Sequence, residues 1–261
     1  MTVRQTFYQA TVRGLVEKTE SGYKQTVVAF LSQLRRDGTI PFEWIVDNTR
    51  ELNEPSTWST PRQILDTAAR QFRVPLWDDT PATVYIFVEK DALAGELSEV
   101  THDLDVPLGV VRGDPSITFL HDVAMRLEDD GRPVFIGYFG DHDPNGRDID
   151  RVIERDLREW APSVDLTFER VAVTREQIVE LSLPTRPTKK SDTRSKNFQG
   201  DSVELDAIPP ETLRDLARTY IMRHVDPAEL EAKRMLQWKH QTALQRFAAT
   251  FDEDGPEEWE R

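Results

Sequence analysis

Three acidic side chains stand where a phosphate-handling metal could be held. Asp141 and Asp143 lie one residue apart in residues 134–146, VFIGYFGDHDPNG, directly after an apolar run, and Glu89 follows a second run, TVYIFV. Short apolar runs rich in Val, Ile, Phe and Tyr read as buried strands. In open α/β sheets, ligands bind just beyond the carboxyl ends of the strands. Carboxylates there suit Mg²⁺, a hard cation that takes oxygen ligands and keeps several waters. Such an ion polarises a phosphate and stabilises a charged leaving oxygen. Acids at a helix start also satisfy the helix dipole with no metal present, so Asp141 and Asp143 alone carry both meanings. Glu89, at the end of a neighbouring strand, adds weight to the ion.

A strand ending in Asp-x-Asp also resembles the haloacid-dehalogenase phosphatases, whose first Asp is a nucleophile. That family continues with Thr or Val, whereas Pro144, Asn145 and Gly146 follow here. His142, between the two acids, is given no role. Tyr8 is the second candidate. A phenol attacks a phosphodiester once its proton is lost and the charge on phosphorus is stabilised. With a pKa near ~10 it needs a neighbouring cation or base at neutral pH. Arg4, one helical turn earlier on the same side, supplies charge but is a poor base. By periodicity alone, Tyr8 equally borders the core with its hydroxyl outside. Arg186, Lys189, Lys190, Arg194 and Lys196 make residues 183–200 a basic loop, either a clamp on a nucleic-acid backbone or a solvated linker. Arg13 joins them as a candidate DNA contact.

The elements that must position these residues change character along the chain. Val3, Phe7, Ala10 and Gly14 share one face of a helix expected over residues 2–16. Ser21 and Gly22 open a second helix with Tyr23, Val27, Leu31 and Leu34 inward, closed by Asp37 and Gly38. Phe42, Trp44 and Val46 alternate as in a half-buried strand or wing. Thr60, Pro61 and Gln63 open a third helix through a capping box. Helices plus a short wing suggest a winged-helix module over residues 1–76. From residue 83 strands alternate with helices, which implies a mostly parallel sheet over residues 77–182. Its strands are expected at 83–88, 106–111, 134–139 and 166–173, with Ser116 and Thr174 as helix caps. Residues 183–261 hold the basic loop, a helix after Pro209–Pro210, another capped by Asp226, and an acidic end. Trp44, Trp58 and Trp77 read as core or interface.

With 261 residues the chain is long enough for two domains, and with no cysteine it has neither disulfides nor thiolate zinc sites. No stretch approaches the length of a membrane span and no signal-peptide pattern follows Met1, so the expected compartment is the cytoplasm, with no membrane partner. A net charge of −14 argues at first against nucleic acid. The distribution of that charge weakens the argument. Residues 1–76 carry 10 basic and 8 acidic side chains, residues 77–182 carry 10 and 24, residues 183–200 carry 5 and 1, and residues 201–261 carry 8 and 14. The acidity gathers around the expected metal site and in the tail, leaving two segments able to face a polyanion.

Together these segments resemble a known family. Arg4-Gln5-Thr6-Phe7-Tyr8 is similar to the Arg-x-x-aromatic-Tyr motif of the topoisomerase VI A subunit and the related meiotic double-strand-break proteins. Val88-Glu89-Lys90 and Gly140-Asp141-His142-Asp143-Pro144-Asn145-Gly146 are similar to the glutamate and Asp-x-Asp-Pro-x-Gly motifs of the Toprim fold, with Arg112-Gly113 resembling the segment between them. The resemblance covers roughly residues 1–180 and keeps the domain order. It implies an α/β protein with an N-terminal winged-helix, CAP-like domain, then a Toprim domain and C-terminal helices. It further implies a homodimer that cuts both strands of double-stranded DNA, the Tyr of one subunit working beside the Mg²⁺-bound acids of the other to form 5′-phosphotyrosyl links. Carried over, Tyr8 is the nucleophile, Arg4 its electrostatic support, and Glu89, Asp141 and Asp143 the metal ligands. No ATP-binding glycine-rich region is visible, so strand passage would take a separate ATPase subunit. The loop and terminal helices fit a compact bacterial or phage-type version. Two other readings stand beside it: a Toprim metal nuclease using water, for defence or plasmid restriction, and a winged-helix DNA-binding protein without catalysis.

Overall fold

The computed structural model describes residues 1–45, 55–113, 115–187, 198 and 200–251. The chain divides into two compact units, one formed by Met1–Arg50 with Pro81–His224 and the other by Glu51–Thr80 with Val225–Arg261. These units cut across the expected boundaries near residues 76 and 182. The physical reason is long-range packing: the first helix rests on a turn formed by residues 205–207, and residues 227–248 pack on residues 61–71.

The first unit is an α/β layer structure around a four-stranded, all-parallel sheet. Its strands are β1 (Thr83–Val88), β2 (Leu108–Val110), β3 (Val134–Phe139) and β4 (Leu166–Ala172). They lie in the order β2-β1-β3-β4. β1 and β3 have the expected bounds. β2 is shorter than expected because, at the sheet edge, only three residues pair with β1. The central strands are buried on both faces, which is why they read as continuous apolar runs rather than alternating ones.

Helices α4 (Asp91–Asp103) and α8 (Pro210–Met222) pack together, as do α5 (Ile117–Asp130) and α6 (Pro144–Trp160). The α5/α6 layer closes a core of Leu120, Ala124, Leu127, Ile149, Ile153 and Leu157 over Phe87, Ile136 and Tyr138. On the opposite face Tyr220 of α8 lies against Gly137 of β3, where a side chain would leave no room for the ring. Ser116 caps α5, and Thr174 with Gln177 forms the expected capping box of α7 (Arg175–Glu180).

The N-terminal segment departs from expectation. Helix α1 (Val3–Val12) starts at a Thr2–Gln5 capping box but ends before residue 16. Gly14 takes φ +69°, and Leu15 N–H returns to the Ala10 carbonyl, a Schellman-type stop. The second helix is a π-helical turn, Gly22–Val28, that runs into α2 (Ala29–Arg36). Phe42–Trp44 is a 3-10 turn rather than a strand or wing, since Pro41 sets the chain turning at once. Val46 lies outside the described residues. In the second unit α3 (Pro61–Gln71) packs on α9 (Pro227–Ala248). Gln241 donates to the Phe72 carbonyl at 2.9 Å and Lys233 to that of Leu76 at 2.9 Å. Among the described residues no helix is long and apolar enough to cross a membrane.

A Cβ on Gly137 would come within 2.7 Å of Tyr220 Cε1 and 3.1 Å of Ile86 Cδ1. Gly137→Ala is therefore expected to lower the unfolding free energy by about 2 kcal/mol, the usual cost of overpacking a core. Urea denaturation measures this, and an unchanged midpoint would show that the Tyr220 ring yields freely.

Candidate functional site

The strand order reverses between β1 and β3: the chain leaves β1 toward β2 on one side and returns to β3 on the other. That switch point is where open parallel sheets form their ligand crevice. Glu89 and Asp141 stand on its two banks. Glu89 N–H extends the ladder to the Phe139 carbonyl at 2.9 Å, and Asp141 N–H donates to Glu89 Oε2 at 2.8 Å. Asp143 caps α6 through Gly146 N–H at 2.8 Å, with Pro144 at the first helical position. Gly146 has to lack a side chain, because a Cβ there would meet the Asp141 carbonyl oxygen at 2.3 Å and Glu89 Oε2 at 3.2 Å.

Arg170 on β4 fixes this turn. Its guanidinium pairs with Asp150 at 2.7 Å and donates to the carbonyls of Gly140, Asp141 and Gly146 at 2.9, 3.1 and 2.7 Å. His142 turns aside from the acids, its ring 5.2 Å from that of Phe198, and burial together with the Arg170 charge lowers its pKa.

A strap absent from the sequence reading completes the site. Residues 202–207 run across the end of β3, tied by paired backbone bonds between Ser202 and Arg186 and between Val203 and His142. They carry Glu204 and Asp206, both buried, to the acids of the sheet. Leu205 N–H donates to Asp141 Oδ1 at 2.8 Å. The Lys90 ammonium sits between three carboxylates, 2.6 Å from Asp206 Oδ2, 2.9 Å from Asp141 Oδ1 and 3.3 Å from Glu204 Oε2. Burial alone would lower its pKa, but Asp206, Asp141 and Glu204 outweigh it and hold the lysine charged.

Helix α1 brings Tyr8 to the same strap. Gln9 reaches the Ala207 carbonyl at 3.4 Å, and Tyr8 lines the same cavity as Glu204. Arg4 pairs with Glu204 at 2.7 Å and lies 3.5 Å from Asp206. Arg186 reaches Glu204 at 3.1 Å and stands 3.8 Å from Asp143. Burial raises Glu204, yet Lys90, the Tyr8 hydroxyl and Arg4 reverse this and hold it down at about 2. Tyr8 goes the other way: burial, then the Glu204 hydrogen bond and charge, push it well above an ordinary phenol against the pull of Arg4 and Lys90. A cavity of about 290 Å³ opens here, lined by Tyr8, Arg4, Lys18, Tyr23, Arg186 and Glu204.

Five of the expected residues, Arg4, Tyr8, Glu89, Asp141 and Asp143, are thus gathered with Arg186 in one region. Arg13 is not with them; it lines a separate cavity beside Glu96 and Arg214. Lys189, Lys190, Arg194 and Lys196 lie outside the described residues. Sequence reasoning missed Lys90, Glu204, Asp206 and Arg170. The one available signal was Glu204-Leu-Asp206, an acid pair within a short apolar stretch ahead of Pro209–Pro210.

Among the described residues no group of three or more Asp, Glu or His side chains is spaced to hold a metal ion. In kind, the donors still fit a hard cation. Burial and then the Asp141 charge raise Glu89 to about 7, against the Asp141 N–H and Lys90. Asp206 Oδ1 is also buried without a hydrogen-bond partner. Neither models of known protein families nor curated proteins match this chain.

Two outcomes follow from these charges. Glu89 titrates at about 7 in the fold against an ordinary 4.5, so its stabilising contribution is present below pH 4.5 and is lost as pH rises through 7. In metal-free buffer, Glu89→Gln should match the wild type at pH 4.5 and exceed its stability by up to about 3 kcal/mol at pH 8. Urea unfolding at both pH values checks this, and parallel pH profiles would refute it. Lys90→Met leaves Asp141, Glu204 and Asp206 facing one another in a buried setting. It should cost about 3 kcal/mol, as removing one partner of a buried ion pair does; a loss below 1 kcal/mol would show that the carboxylates find water instead.

Proposed function

We propose that this chain is a Mg²⁺-dependent DNA-cleaving transesterase of the type IIB topoisomerase A kind, with a winged-helix-like N-terminal segment and a Toprim-like sheet. The observation that carries this reading is one run of ion pairs, Arg4 to Glu204 to Lys90 to Asp141, within a single compact unit and beside a cavity lined by Tyr8, Arg4, Lys18 and Arg186.

In the proposed reaction a DNA phosphate enters that cavity and is held by the three cations. Glu204 orients the Tyr8 hydroxyl. The phenolic oxygen attacks phosphorus as its proton passes to water, the bond from phosphorus to the 3′ oxygen breaks, and a 5′-phosphotyrosyl link forms while the 3′ oxygen takes a proton from water and leaves as a hydroxyl. Glu89, Asp141 and Asp143 would hold Mg²⁺, which when bound supplies Lewis-acid stabilisation of the phosphate and leaving oxygens. Arg170 keeps the turn bearing two of those acids in place. Double-stranded DNA and a homodimer belong to this reading, as do a separate ATPase subunit for any strand passage and a cytoplasmic location. The basic loop would add contacts to the DNA backbone.

One observation favours a second reading. The Tyr8 proton is held more tightly than in a free phenol, which suits a metal nuclease that activates water instead. Purified protein incubated with supercoiled DNA and Mg²⁺, then quenched with denaturant, separates the two. Protein trapped covalently on 5′ ends and reduced at least 100-fold in Tyr8→Phe supports the transesterase. Cutting that persists in Tyr8→Phe but is lost in Asp141→Ala supports the nuclease, and binding with no cutting under any condition overturns both.

A further inference from the structure

We propose that helix α9 is a self-pairing surface, along which α9 of a second copy of this chain lies antiparallel. This pairing is independent of the cleavage chemistry and involves only the second compact unit. That unit has little core of its own. Along α3 only Ala69 is buried, and along α9 only Leu230 and Ala248. The inward face of α9 is largely polar. Gln237 accepts the Val74 N–H at 3.1 Å, and Gln241 and Lys233 donate to the Phe72 and Leu76 carbonyls at 2.9 Å. Its larger apolar side chains point outward instead, with Met235, Leu236, Trp238 and Phe247 47%, 43%, 60% and 55% exposed. A unit this small ordinarily gains its missing core by association.

The order of residues on that outer face identifies what covers it. Ala232, Leu236, Ala243 and Phe247 are all exposed and recur at spacings of four, seven and four, so they share one stripe. Those spacings are the same in both directions. A second helix laid antiparallel therefore sets Phe247 opposite Ala232 and Leu236 opposite Ala243, each pair occurring twice about a two-fold axis. Every large side chain then meets a small one, as close packing of facing helices requires. A parallel copy in register would put Phe247 on Phe247 and Ala243 on Ala243, crowding one level and leaving another empty. Phe251, edge to face with Phe247 at 5.4 Å between ring centres, carries the apolar surface past the end of the helix. The charges agree with this direction. Glu231 near the start of α9 and Arg246 near its end are both exposed. The antiparallel alignment brings each Glu231 close to the level of the other copy's Arg246, where a parallel one would set like beside like.

The chain has no cysteine, so introduced thiols report on the pairing without interference. Full-length Leu236→Cys and Ala243→Cys chains, mixed and mildly oxidised, should form a disulfide-linked dimer, because the two positions face each other within reach of one bridge. Either variant alone should give at least about tenfold less, since each thiol then lies about 10 Å along the helix from its own copy. Sedimentation equilibrium of the unaltered chain at micromolar concentration should give twice the 30.1 kDa monomer mass. Phe247→Glu should weaken that dimer at least about 30-fold, with circular dichroism verifying that this exposed change leaves the fold intact. Efficient links from each single variant alone mean a parallel pair and overturn the proposal. A monomer, or a dimer that Phe247→Glu leaves unweakened, overturns it as well. These measurements use neither DNA nor Mg²⁺, so their outcome and that of the cleavage assay are distinguishable.

Discussion

A single ammonium group organises the acidic end of the sheet. Lys90 follows β1 directly and draws in Asp141 from the end of β3 and Glu204 and Asp206 from the strap, residues more than fifty to more than a hundred positions away. Three buried carboxylates converging with no cation would repel one another in a medium of low effective dielectric. With the lysine among them that repulsion is countered, and the three carboxylates in turn keep the ammonium charged. The strap therefore has a reason to lie where it does. Its backbone pairing with Arg186 and His142 fixes the register, and Lys90 fixes what that register delivers.

From that centre the charges run outward in alternation. Glu204 contacts Lys90 on one side and Arg4 and Arg186 on the other, and Arg186 leads on toward Asp143. Arg170 supports the same turn from β4, donating to three of its carbonyls, those of Gly140, Asp141 and Gly146. A turn held this way is rigid before any ligand arrives, which preorganised electrostatic catalysis requires. Glu89 is the exception. It is buried near the Asp141 charge, Lys90 offsets this only in part, and it takes up a proton near neutrality.

The parts legible in the sequence were those with a local cause. β1 and β3 announced themselves because a strand covered on both faces has to be apolar throughout, and the acids after them stood out because parallel strands end where ligands bind. The caps at Thr174 and Asp226 were legible since a capping side chain answers to backbone groups within one turn. Phe42 and Trp44 misled because alternation over so few residues fits a 3-10 turn as well as a strand. Lys90 could not be read. Its meaning depends on carboxylates 51, 114 and 116 positions along the chain, and nothing in Val88-Glu89-Lys90 says that Asp206 waits there. Glu204 was hidden for the same reason, since only folding gives it the Tyr8 hydroxyl.

The opposed shifts of Tyr8 and Glu204 bear on how a transesterase would start. In the free protein Glu204 is no proton sink, because Lys90, Tyr8 and Arg4 stabilise its anion and hold it at about 2. That stabilisation depends on cations a phosphate would compete for. A DNA backbone lying in the cavity draws on Arg4 and Arg186, which also line it, and each contact transferred from Glu204 to the phosphate removes part of what keeps the carboxylate acidic. As Glu204 becomes more basic, the Tyr8 proton becomes easier to give up. Binding of the substrate and activation of the nucleophile are then one rearrangement of the same charges, with Lys90 as the part that stays fixed.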